Sequence, residues 1–168
     1  MSAPWQIREE RPADKPEVWR VNEAAFGRPD EANLVDELRQ ENAILASLVA
    51  EVSSQIVGHV LFSRMWIDSD RSIAAVALAP LAVIPAHQNC GIGSALVREG
   101  LDLLSKRGEE IAIVLGHAHY YPRFGFSCES ARSFESPFQA DYYMAMELKR
   151  GALEGVKGKV RYPAAFAL

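Results

Sequence analysis

The sequence predicts an α/β domain. It reads as a mixed, mostly antiparallel sheet of about seven strands with a parallel central pair and helices on both faces. Three observations predict it. Apolar segments with strand period run from Leu45 to Val52, Ile56 to Asp68 and Ser72 to Ile84, joined by the short turns Ser53-Ser54-Gln55 and Asp68-Ser69-Asp70-Arg71. Such close connections make an antiparallel meander. The third strand then runs through a glycine loop, Gly91-Ile92-Gly93, into a segment of helical spacing and a further strand, Ile111 to Leu115. A strand–helix–strand order sets those two strands parallel.

The elements follow in order. Trp5 to Arg8 reads as a first strand. Asp14 caps a first helix, with Glu17 three residues on. Val18, Val21, Ala25 and Phe26 mark its inner side, and Gly27-Arg28-Pro29 ends it. Asp30 caps a second helix, with Leu34, Val35 and Leu38 on one face. The near-continuous apolar character of Ser72 to Ile84 implies burial on both faces. Gly93 to Arg107 is the main helix, with an apolar stripe of Ile92, Ala95, Leu96, Leu103 and Leu104. Lys106 and Arg107 suit its negative end, and Gly108 supplies a left-handed stop. Pro122 and Gly125 leave room only for a short helix after the fifth strand. Asp141 to Leu148 and Lys157 to Tyr162 close the sheet.

Composition narrows the class. At 168 residues the chain is read as a single domain, 1–168, long enough for a full core. It is 49% apolar and 24% charged, with a net charge of −4. That balance argues against a general nucleic-acid surface. Its longest apolar run, Ile73 to Ala86, contains Pro80 and Pro85 and is too short to span a bilayer. The N-terminal stretch from Met1 has no apolar signal core. Two cysteines, Cys90 and Cys128, form neither a disulfide framework nor a metal spacing, and a reducing cytoplasm is expected.

The informative stretch is Leu81 to Leu96. A strand that feeds glycines at a helix N-terminus is a place to hold phosphate, because the first helical N–H groups lack partners and the dipole's positive end lies there. No Gly-Lys-Ser/Thr follows, so this is not a Walker loop. Leu96 stands where a dinucleotide fingerprint needs its third glycine or alanine.

Gln88-x-x-Gly91-x-Gly93 after Val83-Ile84-Pro85 resembles the acetyl-coenzyme A loop of the GCN5-related N-acetyltransferases (GNAT). Tyr120-Tyr121-Pro122-Arg123-Phe124-Gly125-Phe126, about 30 residues on, looks like that family's Tyr-x-Lys/Arg-x-Gly-Phe stretch. Together with Gly58 to Phe62 and Leu81-Ala82-Val83, these segments look most like its bacterial YhbS-like branch. The resemblance implies the GNAT fold over nearly the whole chain. It implies acetyl transfer from acetyl-CoA to a primary amine, small molecule or protein, by direct attack in a ternary complex. Net charge, the short apolar run and the residue spacings lead to the expectation of no nucleic-acid partner, no membrane partner and no metal, and they leave a homodimer open.

The resemblance also implies roles for residues. The main chain of Leu81, Ala82 and Val83 would pair with the pantetheine arm. Gln88, Asn89, Cys90, Gly91, Ile92, Gly93 and Ser94 would hold the pyrophosphate, with neutral Gln88 leaving most of the work to backbone and dipole. Tyr121 would serve the departing thiolate, and Tyr120 would pack against the cofactor. The family's Asn after the fifth strand is missing; Leu115-Gly116-His117-Ala118-His119 stands there. Glu23, Glu31, His59 and His117 are the candidates for general base, and none is singled out. His117-x-His119 is too sparse for a metal site. Trp5, Trp19 and Trp66 read as core or edge aromatics. Two other readings stay open. One is a non-catalytic acyl-CoA-binding module of the same fold. The other is a nucleotide-binding protein that uses the glycine loop.

Overall fold

The structure, a computed structural model, describes residues 4–168. Residues 1–3, part of the stretch read as lacking a signal core, lie outside the described residues. The elements are β1 (Gln6–Glu9), α1 (Lys15–Phe26), α2 (Asp30–Gln40), β2 (Ile44–Val52), β3 (Gln55–Asp68), β4 (Ala75–Val83), α3 (Ile92–Lys106), β5 (Ile111–Leu115), β6 (Phe134–Glu135), β7 (Tyr143–Glu147) and β8 (Gly158–Arg161). The sheet runs β1-β2-β3-β4-β5-β7, with β8 beside the far end of β3 and β6 beside β8. The meander β2-β3-β4 is antiparallel as expected, and β4 and β5 are the parallel central pair. Among the described residues the strands number eight, close to the expected seven. The addition is β6, whose two residues are too few to carry a period.

Helix α3 covers one face. Ile92, Leu96, Val97, Leu101 and Leu104 pack on Val60, Phe62, Val76, Leu78 and Val114. The buried stripe is turned from the one expected: Val97 and Leu101 replace Ala95 and Leu103, which lie at its edges. Gly100 is the reason, since a Cβ there would stand 2.2 Å from the Phe62 ring. The bare backbone lets the helix settle onto Phe62 at that point.

The opposite face is covered in two parts. Helices α1 and α2 bring Val18, Val21, Val35 and Leu38 onto Val49 and Leu61. The chain after β5 brings Phe134, Ala152 and Val160 onto Ala77, Ile113 and Ala145. Two expected caps are corrected. The Asp14 carboxylate accepts from the Arg8 guanidinium (2.7 and 3.0 Å) and from the Arg11 N–H (2.6 Å), so it serves the turn before α1 and makes no cap hydrogen bond. Asp30 lies inside the first turn of α2, with Pro29 at the cap position and no side-chain cap. Phe26, expected on the inner side of α1, is 40% exposed. The central strand starts at Ala75 rather than Ser72; the Ala74 N–H goes to the Glu110 carboxylate at 3.0 Å.

Candidate active site

The parallel pairing of β4 with β5 covers only Ala75 to Leu78. Just beyond, two residues of β4, Ala79 and Pro80, oppose the single Leu61 of β3, a bulge between the pairs Val60↔Leu81 and Phe62↔Leu78. A bulge bends its strand, and Pro80 brings no N–H to either neighbour. From there to Val83, among the described residues, no strand lies on the β5 side of β4. The Ile84 N–H bonds the Val57 carbonyl at 2.9 Å. In an antiparallel ladder this orientation repeats every two residues. Ala82 therefore turns its polar groups to His59 on β3, while Leu81 and Val83 turn theirs to the open side. The Val83 carbonyl does accept there, from the Gln88 side chain at 2.8 Å.

The open edge leads into the glycine loop. Gly91 takes φ +97°, a left-handed conformation that excludes most side chains, and stands at the N-cap of α3 with no side-chain cap. The first helical bond here is Ala95 N–H to Gly91 O, at 3.0 Å. Among the described residues the backbone amides from Asn89 through Ser94 have no acceptor in the protein. Six successive free donors at the positive end of a fifteen-residue helix suit an anion. The Trp5 ring lies below Gly91, 3.4 Å from where a Cβ would be.

The two tyrosines after β5 part company. Tyr120 reaches back over the start of α3, with its hydroxyl 3.3 Å from Ser94 Oγ. A Cβ on Gly93 would stand 3.1 Å from that hydroxyl and 3.8 Å from the side chains of Leu81 and Val83. Tyr121 turns inward against Phe126 and Phe124, edge-on to Tyr120. Its ring occupies the space a side chain at Gly116 would need, since a Cβ there would meet it at 2.4 Å. Burial pushes the Tyr121 pKa up to about 12. Its hydroxyl makes no hydrogen bond among the described residues.

These parts enclose a cleft of about 640 Å³. It brings together Leu81, Val83, Gln88, Asn89, Gly91, Ile92, Gly93, Ser94 and Tyr120 from the sequence-predicted set. Three of that set lie off its lining. Ala82 is buried toward α1 and α2, Cys90 is exposed with its thiol on the His87 carbonyl at 2.7 Å, and Tyr121 is packed as described. The cleft adds His87, His119 and Arg123, which sequence reasoning did not assign to binding. Their signal was there: basic residues beside both motifs.

None of the general-base candidates lines the cleft. His59 is fully buried, with Nδ1 3.0 Å from Asn22 Nδ2 and Nε2 2.8 Å from Ser47 Oγ, and burial pushes its pKa down to about 4. Glu31 is paired with Arg28, which holds its carboxyl below the usual range. Glu23 and His117 are exposed. Among the described residues, no group of three or more His, Cys, Asp or Glu side chains is placed to hold a metal ion. None of the helices there is long and apolar enough to cross a membrane.

Comparison with known proteins points the same way. A sequence model described as the acetyltransferase (GNAT) family matches residues 5–126. The uncharacterized N-acetyltransferase YjhQ of Escherichia coli is 37% identical over 130 residues, 75% of this chain and 72% of its own. The uncharacterized N-acetyltransferase YhbS of Escherichia coli is 33% identical over 159 residues, 93% and 95% of the two chains. The crystal structure of YhbS in complex with CoA superimposes with a TM-score of 0.93 at 31% identity, covering 100% of this chain and 94% of that one. A GNAT family acetyltransferase from Brucella melitensis, in complex with acetyl-CoA, gives 0.82 at 36% identity, covering 96% and 97%.

Proposed function

The chain belongs to the acetyltransferase (GNAT) family, and on that footing we propose that it transfers an acetyl group from acetyl-CoA to a primary amine by direct attack in a ternary complex. One observation carries the reading: the open edge of β4 runs directly into the row of free amides before α3. A strand edge with outward N–H and C=O groups suits the amide-bearing pantetheine arm. The amides from Asn89 to Ser94, with the dipole of α3, suit its pyrophosphate. CoA and acetyl-CoA are the ligands in the two structures above, which supports the same assignment.

The amine nitrogen attacks the thioester carbonyl, the C–N bond forms, and the C–S bond breaks to release a thiolate. Tyr121 supports that departure as a hydrogen-bond donor. Its pKa of about 12 keeps the phenol protonated at neutral pH. Against a thiol near 8.5, full proton transfer is uphill by about 5 kcal/mol, so donation of a hydrogen bond carries the stabilisation. The amine's proton leaves through water: no carboxylate lines the cleft among the described residues, and its two imidazoles are His119 and His87, whose Nδ1 is buried without a hydrogen-bond partner. That same absence favours a second reading, an acyl-CoA-binding module without turnover.

The test has two parts. Acetyl-CoA at a hundredfold excess over its dissociation constant should stabilise the fold by about 2.7 kcal/mol. Gly93→Val should abolish that shift, because its side chain enters the cleft between Tyr120, Leu81 and Val83. A screen over an amine library should then find amine-dependent release of free CoA thiol. No thermal shift in the native protein overturns the assignment. A shift without amine-dependent release selects the binding module.

A further inference from the structure

Arg8, Arg39, Arg64 and Arg107 each meet a carboxylate within 2.7 Å. Arg98 and Arg123 meet none among the described residues, in a chain whose net charge is −4. Both instead lie over aromatic rings, Arg123 over Tyr120 in the cleft lining and Arg98 over the neighbouring Phe124. The Arg123 guanidinium carbon is 4.3 Å from the centre of the Tyr120 ring, and that of Arg98 is 5.1 Å from the centre of the Phe124 ring. The two rings are themselves 5.4 Å apart, edge to face. Arg123 also donates from Nε to the Tyr120 carbonyl at 2.8 Å. That bond and the stacking fix the plane of the guanidinium and leave its two terminal nitrogens unused. A fixed planar fork of free N–H donors suits bidentate recognition of a phosphate.

Coenzyme A carries two kinds of phosphate. The pyrophosphate is matched by the amide row at α3. The ribose bears a third phosphate, separated from the pyrophosphate by the sugar, and this group needs a second anion site on the rim. We propose that Arg123, with Arg98 beside it, reads the 3′-phosphate, so that the protein selects coenzyme A over its 3′-dephospho form. This rests on the acetyl-CoA reading above and adds a residue-level specificity to it. His119, which also lines the cleft, lies within the same basic rim.

The experiment is calorimetric binding of CoA and of 3′-dephospho-CoA to the native protein, Arg123→Gln and Arg98→Gln. The native protein should prefer CoA by about tenfold or more, as a charge-assisted pair to phosphate provides. Arg123→Gln should bring the two affinities to within about twofold by weakening CoA alone, and Arg98→Gln should narrow the gap in part. Raising salt from about 50 to about 300 mM should shrink the preference of the native protein and leave that of Arg123→Gln unchanged. Equal affinities in the native protein overturn the inference. So does an Arg123→Gln variant that loses both ligands alike, for then Arg123 only props the Tyr120 ring. Failure of the native protein to bind either ligand removes the proposed function, and this inference with it.

Discussion

His59 should make the stability of this fold fall steeply between neutral and mildly acid pH. The imidazole is fully buried on β3, and both ring nitrogens are engaged, by Asn22 and Ser47. Desolvation pushes its pKa down from 6.5 to about 4; the nearby Glu10 carboxylate opposes that shift and Arg39 adds to it. In the unfolded chain the same group titrates near 6.5. Below that pH the unfolded chain takes up a proton that the folded chain refuses. The contribution is therefore fully present above about pH 6.5 and is lost as pH falls toward 4. The two pKa values set a ceiling of about 3.4 kcal/mol, of which about 2 kcal/mol is lost between pH 7.5 and 5. For a chain of this length that is a drop of about 6 °C in Tm. Asp14, whose carboxyl Arg8 holds below its ordinary range, loses its contribution only as pH falls below about 4, outside this window. Urea unfolding of the native protein and of His59→Gln at the two pH values is the assay. The native protein should lose about 2 kcal/mol more than the variant over the interval. Because the comparison is between slopes, the variant's own loss of stability cancels. If the variant does not fold, the ring-proton NMR signals of His59 in the native protein should stay unshifted across the same interval. Equal slopes, or a folded imidazole that titrates near 6.5, would refute the reasoning.

Three further predictions concern the site and the core beneath it. Tyr121→Phe should lower kcat by about 10²-fold with the cofactor dissociation constant unchanged, whereas Tyr120→Phe, which removes the contact with Ser94, should weaken cofactor binding and leave kcat nearly intact. Steady-state kinetics on the amine found in the screen checks this, and the opposite pattern would exchange the two roles. Gly100→Ala should destabilise the fold by about 1–3 kcal/mol, since its Cβ collides with the Phe62 ring. Phe62→Leu in the same chain should recover part of the loss in urea unfolding, and a Gly100→Ala variant of native stability would show that α3 can shift freely. Cys90 is exposed within the glycine loop. Saturating CoA should slow its alkylation by iodoacetamide, and equal rates with and without CoA would count against pyrophosphate at this loop.

What could be read from the sequence depended on how local each signal was. The meander and the β4-loop-α3-β5 unit rest on periodicity and glycines within a few residues of each other, and they appear with small shifts at their ends. Asp14 looked like a helix cap because the sequence shows its neighbours. It does not show Arg8 turning its guanidinium onto that carboxylate while also reaching Glu51 across the sheet. His59 was legible as a strand residue with hydrogen bonds, but its partners Asn22 and Ser47 lie 37 and 12 residues away. β6 pairs with β8 through two residues, fewer than any pattern needs.

The cleft itself was legible to a different degree for its main chain and its side chains. Its main-chain parts follow from rules that need no distant partner. Glycine permits the left-handed turn at Gly91, and a helix start leaves amides free. Even the division within Leu81-Ala82-Val83 was available from the two-residue alternation of a strand. With Ala82 opposite His59, its neighbours must face the open side. The side chains follow another logic. Tyr120 and Tyr121 are adjacent and chemically alike, and what separates them is two missing side chains elsewhere. Gly93 leaves room for the Tyr120 hydroxyl at the start of α3, and Gly116 leaves room for the Tyr121 ring behind β5. Each glycine reads locally as a turn or a weak helix position. Only the assembled fold shows that each is also the space into which a tyrosine goes. The same holds for Arg123, which the sequence presents as a motif position and the fold presents as a guanidinium stacked on Tyr120 with its terminal donors unused.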